Sequence, residues 1–335
     1  MKLMSFVVTC VFCFVLLFDG GANEVFAVES ELRALPDEYE SIAGHGAGFG
    51  NGGVAAEQGG LSSVRVNPAL IAVNPEYSVG GGYHWPTEGR EYYDIGVVDS
   101  MTSSVAAGVL YSTSGEDHEF EFENPMQSFR DSPVMRRVNG AVAQRVQGKV
   151  SLGASIQFVE ARHFPGTEER VAGKDRVKGF GFGLGAFGRL TDAILWGVSA
   201  ENISNEKMRD YMPKTYRAGA AAKLAGGDVS LHLDYKNRER VAYFEGKKTS
   251  LFGENDPNNK VETEQLGVFS FSLRVYDAIR LLGNYGQEIG GERSLGGGGI
   301  ALVGSKAVLS YIVNKPHMKF AKNHQSINLG INVSM

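Results

Sequence analysis

The sequence predicts an all-β protein: an antiparallel transmembrane β-barrel of about fourteen strands, preceded by a glycine-rich segment of different character. Three observations predict it. Strand-length segments recur from residue 77 onward. Within many of them apolar residues alternate with small or polar ones, the period of a strand with two unlike faces. Short turns alternate with longer polar connections, as in barrels with tight turns on one rim and loops on the other. The composition agrees. Of 335 residues 44 are glycine and only 10 proline, without the period of collagen. Aromatic residues make up 10%, which argues against disorder, and a net charge of −5 without a basic block gives no footprint for nucleic acid.

Residues 1–27 read as a secretory signal peptide. Lys2 supplies the positive charge, Leu3 to Phe18 an almost unbroken apolar run, and Val25-Phe26-Ala27 a small-residue cleavage site. A membrane anchor is the alternative, but the run is short for the ~20 residues a helix needs to span and lacks a basic flank. Cys10 and Cys13 both fall inside it. The expected mature chain therefore has no cysteine, which excludes disulfides, cysteine-bound zinc and thiol catalysis. Neither cysteine is placed for a lipid anchor, and no later stretch is apolar for long enough to form a membrane helix.

Strands are expected at about 77–85, 92–98, 103–112, 134–145, 150–160, 178–189, 193–202, 214–224, 228–236, 264–274, 278–285, 293–302, 306–313 and 326–334. Most suit a tilted membrane crossing. In the ninth, Val229, Leu231, Leu233 and Tyr235 oppose Ser230, His232, Asp234 and Lys236. In the last, Ile327, Leu329, Ile331 and Val333 oppose Asn328, Gly330, Asn332 and Ser334. The sixth sets Phe180, Phe182 and Leu184 against Gly179, Gly181, Gly183 and Gly185, a flat wall against which a backbone could pack. Every second connection is short, at 99–102, 146–149, 190–192, 225–227, 275–277 and 303–305; the others, such as 114–133, 161–177, 203–213, 237–262 and 314–325, are longer and polar. An even strand number puts both chain ends on one rim, the periplasmic one for an exported chain.

Alternation alone fits a soluble sandwich or propeller equally well. Three features favour the membrane. Connection lengths alternate strictly. Tyr83, Trp85, Tyr92, Tyr93, Tyr111, Tyr216, Tyr235, Tyr285 and Tyr311 cluster near strand ends, as an aromatic girdle requires. Several opposing faces consist of glycine and serine rather than a packing core.

Residues 28–76 differ in character from the strand-rich remainder of the chain. An acidic stretch from Glu29 to Ile42 leads into Gly44-His45-Gly46-Ala47-Gly48-Phe49-Gly50-Asn51-Gly52-Gly53 and ends in Asn67-Pro68-Ala69. This order, directly before a barrel, resembles the FadL-type outer-membrane transporter superfamily, which includes PorV- and TraF-like proteins. Gly197-Val198-Ser199-Ala200-Glu201-Asn202-Ile203 and Tyr216-Arg217-Ala218-Gly219-Ala220 resemble strands of PorV-like members. The resemblance implies that residues 28–76 form a hatch or plug inside a barrel of residues 77–335, with Gly46, Gly48, Gly50, Gly53, Asn67, Pro68 and Ala69 as its turn motif. The residues supply a reason: glycines allow close backbone approach, and Pro68 excludes helix at Asn67. The sequence also departs from the family. Leu70 stands where glycine usually follows Asn-Pro-Ala, Glu57-Gln58-Gly59 stands near the place of an acidic pair, and the last residues are Val333-Ser334-Met335 rather than an aromatic.

The expected lumen face is polar, with Arg145, Gln157, Arg217, Lys223, His232, Asp234, Arg274, Arg280 and Asn284 among small residues. A conduit for long acyl chains calls for an apolar pocket instead. Arg217, His232, Asp234, Arg274 and Arg280 are the candidate lumen-binding residues; the arginines would meet anionic groups of a solute or pair with Asp234 and hatch carboxylates. Catalytic and cofactor signals are poor. Gly48-Phe49-Gly50-Asn51-Gly52-Gly53 fits a dinucleotide spacing, but no strand precedes it. No metal site is expected. His84, His118 and His163 fall in or beside external loops as solvated residues, and the acidic run Glu116 to Glu123 reads as solvated charge.

The resemblance then implies a porin-like transport protein of a Gram-negative outer membrane, not an enzyme. It would pass small solutes, including hydrophobic, fatty-acid-like ones, passively, with outer-membrane lipid and the solute as partners and no cofactor. One alternative is a PorV- or TraF-like platform for secretion or envelope-assembly proteins. A second is a soluble periplasmic β-protein.

Overall fold

The computed structural model describes residues 53–55, 61–86, 92–114, 135–146, 149–162, 176–203, 212–242, 260–290, 294–304, 306–317 and 324–333. The N-terminal part of these contains no strand. Ser63–Val66 forms a single helical turn (α1), and Pro68–Ala72 a 3-10 turn. Asn67 between them is extended, with φ −157° and ψ 102°. Pro68 enforces this, because its ring clashes with a helical residue before it.

Fourteen strands follow: β1 Tyr77–Pro86, β2 Tyr92–Asp99, β3 Val105–Ser114, β4 Met135–Val146, β5 Val150–Arg162, β6 Arg176–Arg189, β7 Ile194–Glu201, β8 Thr215–Leu224, β9 Val229–Ala242, β10 Lys260–Tyr276, β11 Ile279–Glu288, β12 Ser294–Val303, β13 Ala307–His317 and β14 His324–Val333. Each pairs with its sequence neighbours, and β1 pairs with β14, so the sheet closes into one barrel. At the seam Tyr77 lies opposite Val333 and His84 opposite Ser326. Closure removes the free edges that an open sheet would present. One bulge breaks the β10–β11 register between Arg274 and Tyr276, beside the turn that joins them. The turn between β8 and β9 uses positive φ at Ala225, Gly226 and Gly227, and its two glycines adopt that geometry without steric cost.

The distribution of residues is inverted relative to a soluble sandwich. Large apolar side chains face outward on strand after strand, among them Ile95, Val109, Val142, Leu152, Phe182, Leu184, Leu233, Ile300 and Leu329. Meanwhile His84, Asp94, Arg137, Asn139, Arg217, His232, Lys236 and Arg238 are buried on the inner face. A continuous apolar belt of this extent far exceeds the few hundred Å2 typical of a soluble surface. It matches the lipid-facing band of a membrane barrel. Among the described residues no helix is long and apolar enough to cross a membrane; the crossing elements are strands. Tyr77, Tyr83, Tyr93, Tyr216, Tyr235, Tyr276 and Tyr311 are exposed on the outside.

Two expectations need correction. β9 and β10 continue to Ala242 and back from Lys260, and β13 continues to His317, so residues 237–242, 260–262 and 314–317 are strand rather than loop. Connection lengths also do not alternate strictly. Residues 87–91, between β1 and β2, and residues 289–293, between β11 and β12, are no longer than the opposite-rim turn at 100–104. Length distinguishes the rims only where the loop is elaborated, as at 115–134 and 243–259.

Candidate functional site

The described residues before β1 lie inside the barrel, and Asn67 is the centre of their attachment. Its side chain is fully buried. Nδ2 donates to the Val54 carbonyl at 2.8 Å and to the Ala186 carbonyl of β6 at 3.1 Å. Oδ1 accepts from the Ala69 N–H at 3.1 Å. A carboxamide is required here, because the position donates twice and accepts once, whereas a carboxylate only accepts. Pro68 suits the residue after it, having no N–H to satisfy at the start of a helical turn.

Three further contacts fix the same segment. Ser199 Oγ of β7 donates to the Val66 carbonyl at 2.7 Å. Asp234 Oδ1 of β9 accepts from the Val54 N–H at 3.0 Å. The Arg145 guanidinium of β4 donates to the Val73 carbonyl near the rim. Apolar packing fills the spaces between. Ala55, Ala69, Leu70 and Val73 meet Phe187, Leu195 and Ala221 on one side. Leu61, Val64 and Ile71 meet Val98, Ala106, Leu110, Ala141 and Ala143 on the other.

The wall is shaped to this segment by missing side chains. A Cβ at Gly185 would lie 2.1 Å from Asn67 Oδ1, and one at Gly197 would lie 2.0 Å from the Val54 carbonyl oxygen. At Gly153 it would come within 2.5 Å of the Ala69 nitrogen. Each distance is well inside van der Waals contact, so glycine is needed for close approach of backbone to strand.

The remaining inner face is charged and internally paired. Arg217 Nη1 of β8 lies 2.9 Å from Glu201 Oε1 of β7, both nearly buried. His84 Nε2 lies 3.2 Å from Asp94 Oδ2 across β1 and β2. Beside the inward segment, immediately before β1, burial pushes the Glu76 carboxyl above its ordinary pKa. Its backbone N–H donates to Ser100 Oγ at 2.9 Å, which ties the entry of β1 to the β2–β3 turn.

Comparison with known proteins is informative at the level of structure. No family model matches the sequence, and no curated protein matches it. Solved structures do. The toluene transporter TbuX of Ralstonia pickettii aligns over 90% of this chain and 98% of its own, at 13% identity and a TM-score of 0.57. The monoaromatic hydrocarbon channel CymD aligns over 84% and 93%, at 15% identity and a TM-score of 0.59. A FadL homologue of Pseudomonas aeruginosa aligns over 85% and 97%, at 11% identity and a TM-score of 0.53. The fold is that of the FadL-type outer-membrane channels.

Within this FadL-type barrel the residues singled out in the sequence fall into separate groups. Gly53, Asn67, Pro68 and Ala69 come together at the anchored segment; Gly46, Gly48 and Gly50 lie outside the described residues. Asp234 belongs to the same group, held between Gly53 and Gly219, where a Cβ on Gly219 would lie 2.2 Å from its Oδ1. Arg217 is paired with Glu201. His232 is buried on the inner face of β9, one step along the strand from Asp234. Arg274 is placed at the turn rim, where its Nε donates to Asp228 Oδ1 at 2.6 Å, and Arg280 lies opposite it in register.

His84 also differs from expectation. It is buried at 2% exposure rather than solvated, because it shares the inner face of β1 with Ser78 and lies against Asp94 of β2. His118 and His163 lie outside the described residues. The sequence analysis did not single out Arg137 and Asn139, and named Ser199 and Glu201 only within a strand motif, without a role at the site. The alternation of Arg137, Asn139, Ala141 and Ala143 with Val138 and Val142 on β4 carried the signal for the first two. Among the described residues no group of three or more His, Cys, Asp or Glu side chains could hold a metal ion.

Proposed function

We propose that this protein is a passive outer-membrane channel for small solutes, with residues 28–76 as its hatch and residues 77–335 as its barrel. The observation that carries the proposal is the anchoring of the inward segment through Asn67, which bonds at once to its own chain and to the barrel wall. The apolar exterior and the FadL-type fold support placement in the outer membrane of a Gram-negative cell after removal of residues 1–27.

TbuX is a toluene transporter and CymD a monoaromatic hydrocarbon channel. By analogy of fold alone, the solute here is small and hydrophobic. The inner face, with Arg137, Arg217, Lys236 and Arg238 buried along it, argues against a long acyl chain and for a compact molecule. Arg217, beside its partner Glu201, and His232 are the inner-face residues proposed to meet the solute, while Asp234 serves the anchored segment and Arg274 the rim.

Reconstitution into planar bilayers tests the reading. The full barrel should give low or intermittent conductance, and deletion of residues 28–72 should give larger, discrete steps. A barrel that inserts but stays silent in both forms would instead favour a partner-binding platform of the PorV or TraF kind. A chain that remains in the soluble periplasmic fraction would remove the membrane reading altogether.

A further inference from the structure

The outer wall of β4–β6 changes character abruptly at one height. Below it, Val142 on β4, Leu152 and Ile156 on β5, and Phe180, Phe182 and Leu184 on β6 are exposed apolar side chains. The belt ends at Phe158 and Phe180, whose ring centroids are 5.0 Å apart. Immediately above, Arg136, Glu160 and Lys178 form one continuous row in register across the three strands. Arg176 stands one step higher on β6, on the same face. Glu160 accepts from Arg176 Nη1 at 3.0 Å and lies 3.2 Å from Lys178 Nζ. Both cations nevertheless remain open to the surroundings, with side chains 47% and 59% exposed.

The height of this row identifies what surrounds it. From Val150 at the turn rim to Glu160, a strand rising ~3.3 Å per residue at a tilt of ~40° climbs roughly 25 Å, the depth of an outer-membrane barrel's apolar band. The cations therefore stand at the external boundary of the hydrocarbon, facing lipid. Among the described residues one carboxylate, Glu160, serves the two exposed cations bonded to it, so these three groups carry one surplus positive charge, and Arg136 stands beside them in the row. Lysine and arginine at such a boundary attract anionic head groups, and arginine matches phosphate oxygens in a forked geometry.

We propose that Arg136, Arg176 and Lys178 form a binding site for the phosphate groups of an anionic outer-leaflet lipid, with Glu160 offsetting part of the charge of the two β6 cations. The acyl chains of that lipid lie along the Phe158, Phe180 and Phe182 face below. The site rests on the outer-membrane placement proposed above, but not on what passes through the lumen.

The test uses the full-length detergent-solubilised protein and native mass spectrometry with bisphosphorylated lipid A. The wild type should retain the lipid, and the Arg176→Gln/Lys178→Gln double variant should lose at least tenfold in retention. Dephosphorylated lipid A should bind the wild type no better than the phosphorylated lipid binds the double variant. Glu160→Gln, which removes the competing carboxylate, should retain the lipid as well as or better than the wild type. Heat-modifiable gel mobility confirms that each variant is a closed barrel, and the single Lys178→Gln variant gives the same comparison if the double variant does not assemble. Equal retention by wild type and variants overturns the proposal, as does equal retention of the dephosphorylated lipid. Displacement of the lipid by millimolar inorganic phosphate would show an ion site instead and would overturn it too. Recovery of the chain outside the membrane fraction would count against the placement itself, and is distinguishable from failure of the site in a membrane-inserted barrel.

Discussion

Asn67 makes three hydrogen bonds in a place with no access to water, and two of its partners are carbonyls on different parts of the chain. Truncation to alanine leaves those carbonyls and the Ala69 N–H buried without it, so Asn67→Ala should destabilise the closed form by about 3 kcal/mol. Asn67→Asp should cost more, because a carboxylate would face two carbonyl oxygens. A lower temperature for the heat-modifiable transition, in the order wild type, alanine, aspartate, checks both. The Asn-Pro-Ala turn was legible in the sequence, since Pro68 dictates local geometry. Asp234, which accepts the Val54 N–H of the same segment, was legible only as a lumen residue: Val54 and Asp234 are 180 positions apart, and no local pattern encodes that distance. Glu76 gives a pH prediction. Burial raises its carboxyl pKa in the folded state, so the fold binds the proton more tightly than the unfolded chain does. Its neutral form is accommodated without penalty below the unfolded value of about 4.3, and stability falls as pH rises from there through the folded value. Glu76→Gln should therefore raise the unfolding temperature at pH 7 and leave it unchanged near pH 3.5, measured as a pH series of melting transitions.

At the scale of a strand, β6 shows what could be read and what could not. Its period-two pattern placed Phe180, Phe182 and Leu184 on one face and glycines on the other, and the exposures follow that division. The reading that a backbone packs against the glycine face holds at Gly185, which meets Asn67 and Pro68. Gly181 instead meets Asn202, from the segment just after β7, a contact that depends on how β7 ends. The hairpin of β9 and β10 was read too short for a related reason. Lys236-Asn237-Arg238-Glu239-Arg240 is polar on both faces, which resembles a loop. A strand rising beyond the hydrocarbon faces water outside as well as inside, so the alternation that marks the spanning part ends before the hydrogen bonding does. The belt itself makes a prediction. Leu184 is 57% exposed at mid-strand on the outer face, so Leu184→Arg should cost about 2–4 kcal/mol when the barrel sits in lipid. Urea titration of the barrel folded into vesicles measures it. The same change at the equally exposed Lys178, above the belt, should shift the midpoint little.

For the molecule as a whole, closure of the sheet and occupation of its lumen are linked. The barrel does not rely on a single packed core: its inner face meets the inward segment through two apolar clusters on opposite sides, and through side chains of β4, β6, β7 and β9. Because these attachments are distributed, loss of one should loosen the segment without opening the barrel. Asp234 allows a discriminating experiment. Its carboxylate oxygen accepts the Val54 N–H, and Gly53 and Gly219 leave just enough room for it. If its role is to hold the segment by that hydrogen bond, Asp234→Asn retains an acceptor and should conduct like the wild type in planar bilayers. Asp234→Ala leaves the N–H without its acceptor, and should show more frequent openings of the same step size, approaching the behaviour of the 28–72 deletion when combined with Ser199→Ala. If its role is instead to set the charge of the lumen, asparagine and alanine should behave alike, and both should change ion selectivity rather than opening frequency. The two variants therefore separate a mechanical anchor from an electrostatic filter at one position, with the heat-modifiable mobility of each confirming that the barrel around it stays closed.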